Sequence, residues 1–292
     1  MKNLPAIDWK RTDALIALAL EEDLGDRGDV TTNSVIPEDL VTDAVFLAKE
    51  DLVCAGLPVA ERLFLTLDPT LRWEALVKEG DFCPKGTIMA KVYGSARKLL
   101  TGERTALNFL QRLCGVASAA KKYQEAAGDS CRILDTRKTT PGWRNLEKYA
   151  VAVGGASNHR IGLYDRVMIK DNHRELAGLE GAGGITRSVE RARKMYPGLE
   201  VEVEVDSLTE LKEAVETGAE YILLDNMSDE MMAEAVKFVN GRSKLEASGG
   251  ITLARIPSAA KTGVDFISAG ALTHSVKSSD ISMDIQLSGG KK

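Results

Sequence analysis

The sequence predicts an α/β protein in which a small α+β unit precedes a β/α barrel of fewer than eight units. Two observations carry the barrel. Apolar strand candidates ending near Val205, Leu224, Ala247 and Ser268 lie 19, 23 and 21 residues apart, the length of a strand, a loop and a helix. Helical patterns fill the intervals at residues 208–217, 229–239 and 252–262, after a first one at 189–196, and Gly218 and Gly263 close two of them. The third observation is a series of short β-prone runs broken by Pro and Gly before residue 112, which predicts the smaller unit. Parallel strands with helices between them close most economically as a barrel, with a doubly wound sheet as the alternative.

Taken in order, Thr12 can cap a helix running through Ala14, Leu15, Leu18 and Leu20, with Gly25 as its stop. Residues 41–49, 73–77 and 88–92 read as strands, and 59–67 as a short helix. Apolar residues 107, 110, 113, 114 and 117 recur at helical spacing and predict a helix over 103–127 that leads into the second half. Two further strand candidates end near Leu134 and Ile169. The domains expected are 1–112 (α+β), 113–275 (barrel) and a tail, 276–292, returning to the first domain.

At 292 residues and 44% hydrophobic content the chain can bury a substantial core. A net charge of −5 and a pI near 5.5 argue against nucleic acid, which asks for a basic face. The opening residues lack the apolar core of a signal peptide, and the apolar run from Ala14 to Leu20 is far short of the roughly 18 residues that span a bilayer, so a cytosolic protein is expected. Cys54, Cys83, Cys114 and Cys131 form no Cys-x-x-Cys pair and read as reduced structural thiols.

Against this acidic background one stretch is basic. From Arg132 to Arg174 nine Lys or Arg face four acids, so the rest of the chain carries about −10. The cluster is interrupted by Gly, Pro, Thr and Asn, which suits a pocket for a small polyanion better than a helix face. Most strand candidates also end in polar residues: Asp135-Thr136-Arg137-Lys138, Lys170-Asp171-Asn172, Glu202 and Glu204, Asp225-Asn226, Ser248-Gly249-Gly250 and Ala269-Gly270. A barrel gathers such ends at one mouth. In VEVEV (201–205) the period of two puts Glu202 and Glu204 on one enclosed face, where carboxylates need partners such as a lysine or a metal-bound sugar. The glycine turns after the last two strands can cradle a phosphate.

Plainer readings stand beside these. The basic stretch could be a solvated surface, His159 a structural histidine, Glu202 a structurally paired acid and Asp225-Asn226 a turn or cap. His173 and His274 read as structural, and Trp143 and Tyr149 as the packed face of a helix.

The strings GERTALNFLQ, DTRKTTPGWRNLEKYAVAVGGASNHRIGLYDRVMIKDNH, EVEVDSL, ILLDNM, EASGGI and GVDFISAGALTHS closely resemble the quinolinate phosphoribosyltransferases. The match runs from EDLGDRGDVTT near Glu22 to the end of the chain. This resemblance implies an N-terminal α/β sandwich with an incomplete β/α barrel, and decarboxylating transfer of phosphoribose from 5-phosphoribosyl-1-pyrophosphate (PRPP) to quinolinate in NAD biosynthesis. It implies that Arg137, Thr136, His159, Arg160 and Lys170 bind quinolinate, with Arg104 entering from the partner of a homodimer that shares its active sites; a hexamer is the larger alternative. It further implies that Lys138, Glu204 and Asp225 are catalytic and bind PRPP, with Mg2+ near Glu204 and Asp225 but no residue assigned as its direct ligand. Ser248, Gly249, Gly250, Ala269 and Gly270 would hold the 5-phosphate. The rivals are a nicotinate phosphoribosyltransferase, a Schiff-base barrel enzyme using Lys138 or Lys170, and a non-catalytic binder of phosphorylated metabolites.

Overall fold

In the computed structural model, which describes residues 4–286, helix α1 (Trp9–Leu24) starts a turn earlier than Thr12. Asp8 is the cap, accepting the N–H of Arg11 at 3.2 Å, while Thr12 is buried inside the helix. Gly25 ends the helix at a φ of 47°. Helix α2 (Val30–Val35) was not expected, because its β-branched residues hide a helix that the Asp29 cap makes possible. There follow β1 (Val41–Ala48), β2 (Leu52–Val53), α3 (Leu57–Leu67), β3 (Arg72–Ala75), β4 (Phe82–Cys83), β5 (Ile88–Ser95) and the long α4 (Ala96–Ala127). The second half runs β6 (Arg132–Leu134), α5 (Arg144–Val153), β7 (Val167–Ile169), α6 (Asp171–Gly178), α7 (Gly184–Met195), β8 (Val201–Val205), α8 (Leu208–Glu216), β9 (Tyr221–Asp225), α9 (Asp229–Val239), β10 (Lys244–Ser248), α10 (Ile256–Lys261), β11 (Phe266–Ser268), α11 (Ala271–His274) and β12 (Ile281–Gln286).

The chain divides into two compact units. The first takes the residues up to Lys121, together with Thr140–Gly155 and the stretch from Val276 onward. Its four-stranded sheet has the order β12-β1-β5-β3, antiparallel throughout, with Phe46 packed at 5.4 Å from Trp73 and 6.0 Å from Phe64. Strand β12 pairs with β1 from Ala48↔Ile281 to Asp43↔Gln286. This division differs from the expected bounds of 1–112 and 113–275, because Thr140–Gly155 joins the first unit. The cause is a set of buried polar ties: fully buried Glu147 lies 2.6 Å from Arg112 and accepts the Thr140 N–H at 3.0 Å, and Tyr149 donates to Glu79 at 2.8 Å. Trp143 stacks on Phe109 at 4.7 Å. Both aromatic residues are packing groups, as read from the sequence.

The second unit, Lys122–Thr139 and Ala156–Ser275, holds six parallel strands in the order β6-β11-β10-β9-β8-β7. The expected ends of these six strands lie at or within one residue of the observed ones, whereas in the first unit the strands expected at 73–77 and 88–92 end at Ala75 and Ser95. Among the described residues no ladder joins β6 to β7, so the barrel is open and incomplete. Val203, Val205, Ile222, Leu224, Ala247 and Ile267 are buried along these strands. No helix among the described residues is long and apolar enough to cross a membrane.

Gly154, at the end of α5, lets that helix lie directly on α4, since a Cβ there would run into the Ala117 carbonyl oxygen and come within 2.8 Å of Ala120 Cβ. Gly154→Ala should therefore cost about 1–3 kcal/mol, read as a lower urea midpoint with an unchanged slope.

Candidate active site

The C-terminal ends of the parallel strands surround a cavity of about 860 Å³. Because these strands share one direction, the polar residue that closes each of them reaches the same mouth. Thirteen of the fourteen predicted site positions line it: Thr136, Arg137 and Lys138 after β6; His159 and Arg160 in the loop between α5 and β7; Lys170 after β7; Glu204 on β8; Asp225 on β9; and the Ser248-Gly249-Gly250 and Ala269-Gly270 turns. Arg104 does not; it is exposed on α4 in the first unit.

One part of the lining is cationic. Arg137, Arg160 and Lys170 all face the cavity, and burial together with the neighbouring Arg137 charge holds the Arg160 guanidinium below its ordinary pKa. An anion placed there relieves that crowding. Lys170 reaches Glu204 at 3.5 Å, so the lysine partner expected for the VEVEV carboxylates serves Glu204. His173 is structural as expected, its Nδ1 accepting the Lys170 N–H at 2.9 Å across the first turn of α6. Fully buried Asp135 braces the cationic loop, accepting from the His159 N–H at 2.9 Å and from Asn158 Nδ2 at 2.6 Å.

The structure also brings a residue that the sequence reading missed, Glu246, together with His159 and Glu202. Nε2 of His159 lies 3.0 Å from Glu202 and 3.3 Å from Glu246, and both carboxylates are almost wholly out of water. The clue was present in Lys244-Leu245-Glu246-Ala247-Ser248, where the strand period of two puts Glu246 on the same face as the recognised Ser248. Burial raises the cost of charge at Glu202, but His159 and Arg166 outweigh it and hold this carboxyl low. At Glu246 burial and the adjacent Glu202 push the carboxyl up. Burial also opposes charge on His159, yet the two glutamates pull its ring up to about 9. A second contact works the other way. The Arg160 N–H donates to His159 Nδ1 at 2.7 Å, a bond that exists only while Nδ1 keeps its lone pair. A neutral ring in this geometry carries its proton on Nε2, and both ring nitrogens face protein groups.

The remaining lining is carboxylate and backbone. Asp225 ends β9 opposite Ser248 on β10, and Asn226 beside it takes a φ of 54°. Gly249 has a φ of 90°, and any Cβ there would collide with the Asn226 side chain. Gly270 admits no larger residue without displacing His274 and Lys138, each 3.0 Å from the position of an added Cβ. Lys138 is fixed by its backbone: its N–H donates to Thr136 Oγ1 at 3.0 Å and its carbonyl accepts from Thr273 Oγ1 at 2.7 Å. His274 was read as structural, but it lines the cavity, with Nδ1 2.6 Å from Ser275 Oγ. The arrangement presents cations for one anionic ligand, carboxylates for hydroxyls or a cation, and glycine-rich backbone for a phosphate.

Comparison with known proteins agrees with this geometry. Residues 116–284 match the quinolinate phosphoribosyl transferase C-terminal domain and residues 29–114 its N-terminal domain. The chain belongs to the quinolinate phosphoribosyl transferase family. Its relatives in this family include the chloroplastic nicotinate-nucleotide pyrophosphorylase (carboxylating) of Oryza sativa subsp. japonica, 44% identical over 96% of this chain and 78% of the relative. A probable nicotinate-nucleotide pyrophosphorylase (carboxylating) of Synechocystis is 44% identical over 95% of this chain and 93% of its own. Among solved structures, the nicotinate-nucleotide pyrophosphorylase of Francisella tularensis superposes with a TM-score of 0.91 at 36% identity, covering 98% of this chain and 100% of that one. NadC from Streptococcus pyogenes also gives 0.91, at 40% identity over 97% and 99% of the two chains. All of the cavity residues fall inside the C-terminal family match.

The Arg160 contact fixes an expected spectrum. Above about pH 9, where the ring is neutral, nitrogen-15 NMR of the imidazoles should show His159 with a proton on Nε2 and none on Nδ1. A neutral ring with its proton on Nδ1 would mean that the bond from Arg160 is broken.

Proposed function

We propose that this chain is a quinolinate phosphoribosyltransferase, forming nicotinate mononucleotide, pyrophosphate and CO2 from quinolinate and PRPP. The observation that carries the reading is one cavity lined by Arg137, Arg160 and Lys170 together with carboxylates and glycine turns, which suits a dianionic ring beside an activated sugar phosphate. Quinolinate carries two adjacent carboxylates, and Arg137, Arg160 and Lys170 supply charge-assisted bonds for them beside Thr136 and His159. A nicotinate enzyme needs fewer cations, because its acceptor has a single carboxylate.

In this reading the Ser248, Gly249, Gly250, Ala269 and Gly270 turns hold the 5-phosphate, and Glu204 and Asp225 serve the ribose. Their carboxylate oxygens are hard donors of the kind Mg2+ takes alongside substrate phosphates, so the two residues fit that ion. When bound, Mg2+ would neutralise charge on the departing pyrophosphate. As the C–O bond to pyrophosphate lengthens, the ribose gains oxocarbenium character, which Glu204 and Asp225 stabilise, while Lys138 stabilises the leaving anion. The acceptor nitrogen bonds to C1 and becomes a pyridinium, and that ring takes up the electron pair left when the adjacent carboxylate departs as CO2. A proton from solvent then completes the ring carbon. The protein's part is orientation and electrostatics, with no covalent nucleophile.

A homodimer in which Arg104 of one subunit completes the site of the other is part of the same proposal, and Arg104's exposed place outside the cavity lining is compatible with it. So is the cytosolic setting, although plant relatives are named as chloroplastic or mitochondrial.

Release of labelled CO2 from carboxyl-labelled quinolinate, dependent on PRPP and Mg2+, tests the reaction; no release, or equal release without PRPP, rejects it. Arg137→Ala and Arg160→Ala should each weaken quinolinate binding by about 1.5–3 kcal/mol and leave PRPP binding almost unchanged, as read by calorimetry. For the shared site, mixing inactive Arg104→Ala and Lys138→Ala chains should restore activity in hybrid dimers, and none should return if each subunit is self-sufficient.

A further inference from the structure

Glu202 and Glu246 are 0% and 1% exposed, side by side in the interior of a parallel sheet. Apolar side chains of the same size would fill that space at lower cost, since a buried acidic pair loses its hydration and repels itself. What the two carboxylates share is the Nε2 edge of His159, at 3.0 and 3.3 Å. The opposite edge of that ring accepts the backbone N–H of Arg160 at 2.7 Å, and Asp135 holds the preceding N–H at 2.9 Å. The imidazole is thus clamped on one side by carboxylates from β8 and β10 and on the other holds the main chain from which Arg160 projects. Arg160 in turn lines the cavity, with Nη1 donating to the Arg166 carbonyl at 3.2 Å.

We propose that Glu202 and Glu246 are positioning residues for acceptor binding, acting through the His159 ring on the backbone that sets Arg160. The proposal rests on the quinolinate reading given above. A second use of the same three side chains is weaker. Their donor atoms lie within 4.8 Å of one another, as metal ligands can, but Arg166 already brings positive charge to 3.5 Å from Glu202.

Three properties separate this role from plain core packing. The loss should fall on one substrate, it should pass through His159, and it should follow the carboxylate rather than the volume of the side chain. Glu246→Gln keeps the volume and removes the carboxylate. In the full-length protein it should raise the KM for quinolinate about tenfold, the scale seen when an outer partner of a ligand-binding side chain is removed, with the KM for PRPP unchanged. On a His159→Phe background, where the relay is already cut, the same change should cost no further quinolinate affinity. Equal losses for both substrates, or the same loss on both backgrounds, would overturn the proposal. Should Gln at 246 prevent folding, Glu202→Gln carries the same expectation, because it removes the other oxygen that meets Nε2; failure of both to fold would place the pair in the core alone and overturn it as well. Labelled CO2 release by the unmodified protein keeps the two readings apart. A protein that turns over quinolinate but shows no substrate-selective loss retains the function and loses this inference, whereas an unmodified protein without turnover loses the function itself.

Discussion

An ionised side chain leaves water only when another group meets its charge, and the barrel interior is arranged around that requirement. The cavity draws together Arg137, Arg160 and Lys170 within an acidic protein, and partners in the same unit hold much of this lining: Glu204 meets Lys170, Glu202 meets His159 and Arg166, and Asp135 fixes the loop that carries His159 and Arg160. The apolar residues decide that there is a barrel. The paired charges decide which polar side chains stay in place while no ligand is present, so the cationic part keeps its shape before an anion arrives.

The parallel sheet makes this economical. Strands of one direction deliver their last residues to one mouth, so single positions far apart in sequence, from Thr136 to Gly270, line one cavity, with His159 and Arg160 added by the loop between α5 and β7. Glycine does the remaining work where backbone must come close: Gly249 beside Asn226 and Gly270 beside Lys138 and His274 leave no room for a side chain.

Much of this was legible from residue order. The βα spacing marked the barrel, the alternation in VEVEV put Glu202 and Glu204 on one face, and the interrupted basic stretch marked the cavity. What escaped did so for physical reasons. Glu246 stands in a strand of ordinary composition, and its importance depends on a histidine 87 positions earlier, a distance along the chain at which local pattern says nothing. His274 carries no pattern of its own; it faces the cavity because α11 turns back immediately after Gly270. The helix α2 was hidden because β-branched propensity opposes it and only the Asp29 cap reveals it. The first helix was placed late because Thr12 and Asp8 are both competent caps, and burial of Thr12 decided between them.

The assignment of Thr140–Gly155 to the first unit has a consequence for how this chain could be divided. The polypeptide changes units after Lys121, Thr139, Gly155 and Ser275, so no single cut separates two complete pieces. Any gene split in two would leave one product lacking a helix or a strand of its own core. The excursion also begins and ends next to residues that line the cavity, Lys138 on one flank and His159 and Arg160 on the other. Fraying of α5 would therefore release both flanks at once, and a lesion there could silence the cavity without altering one group that lines it.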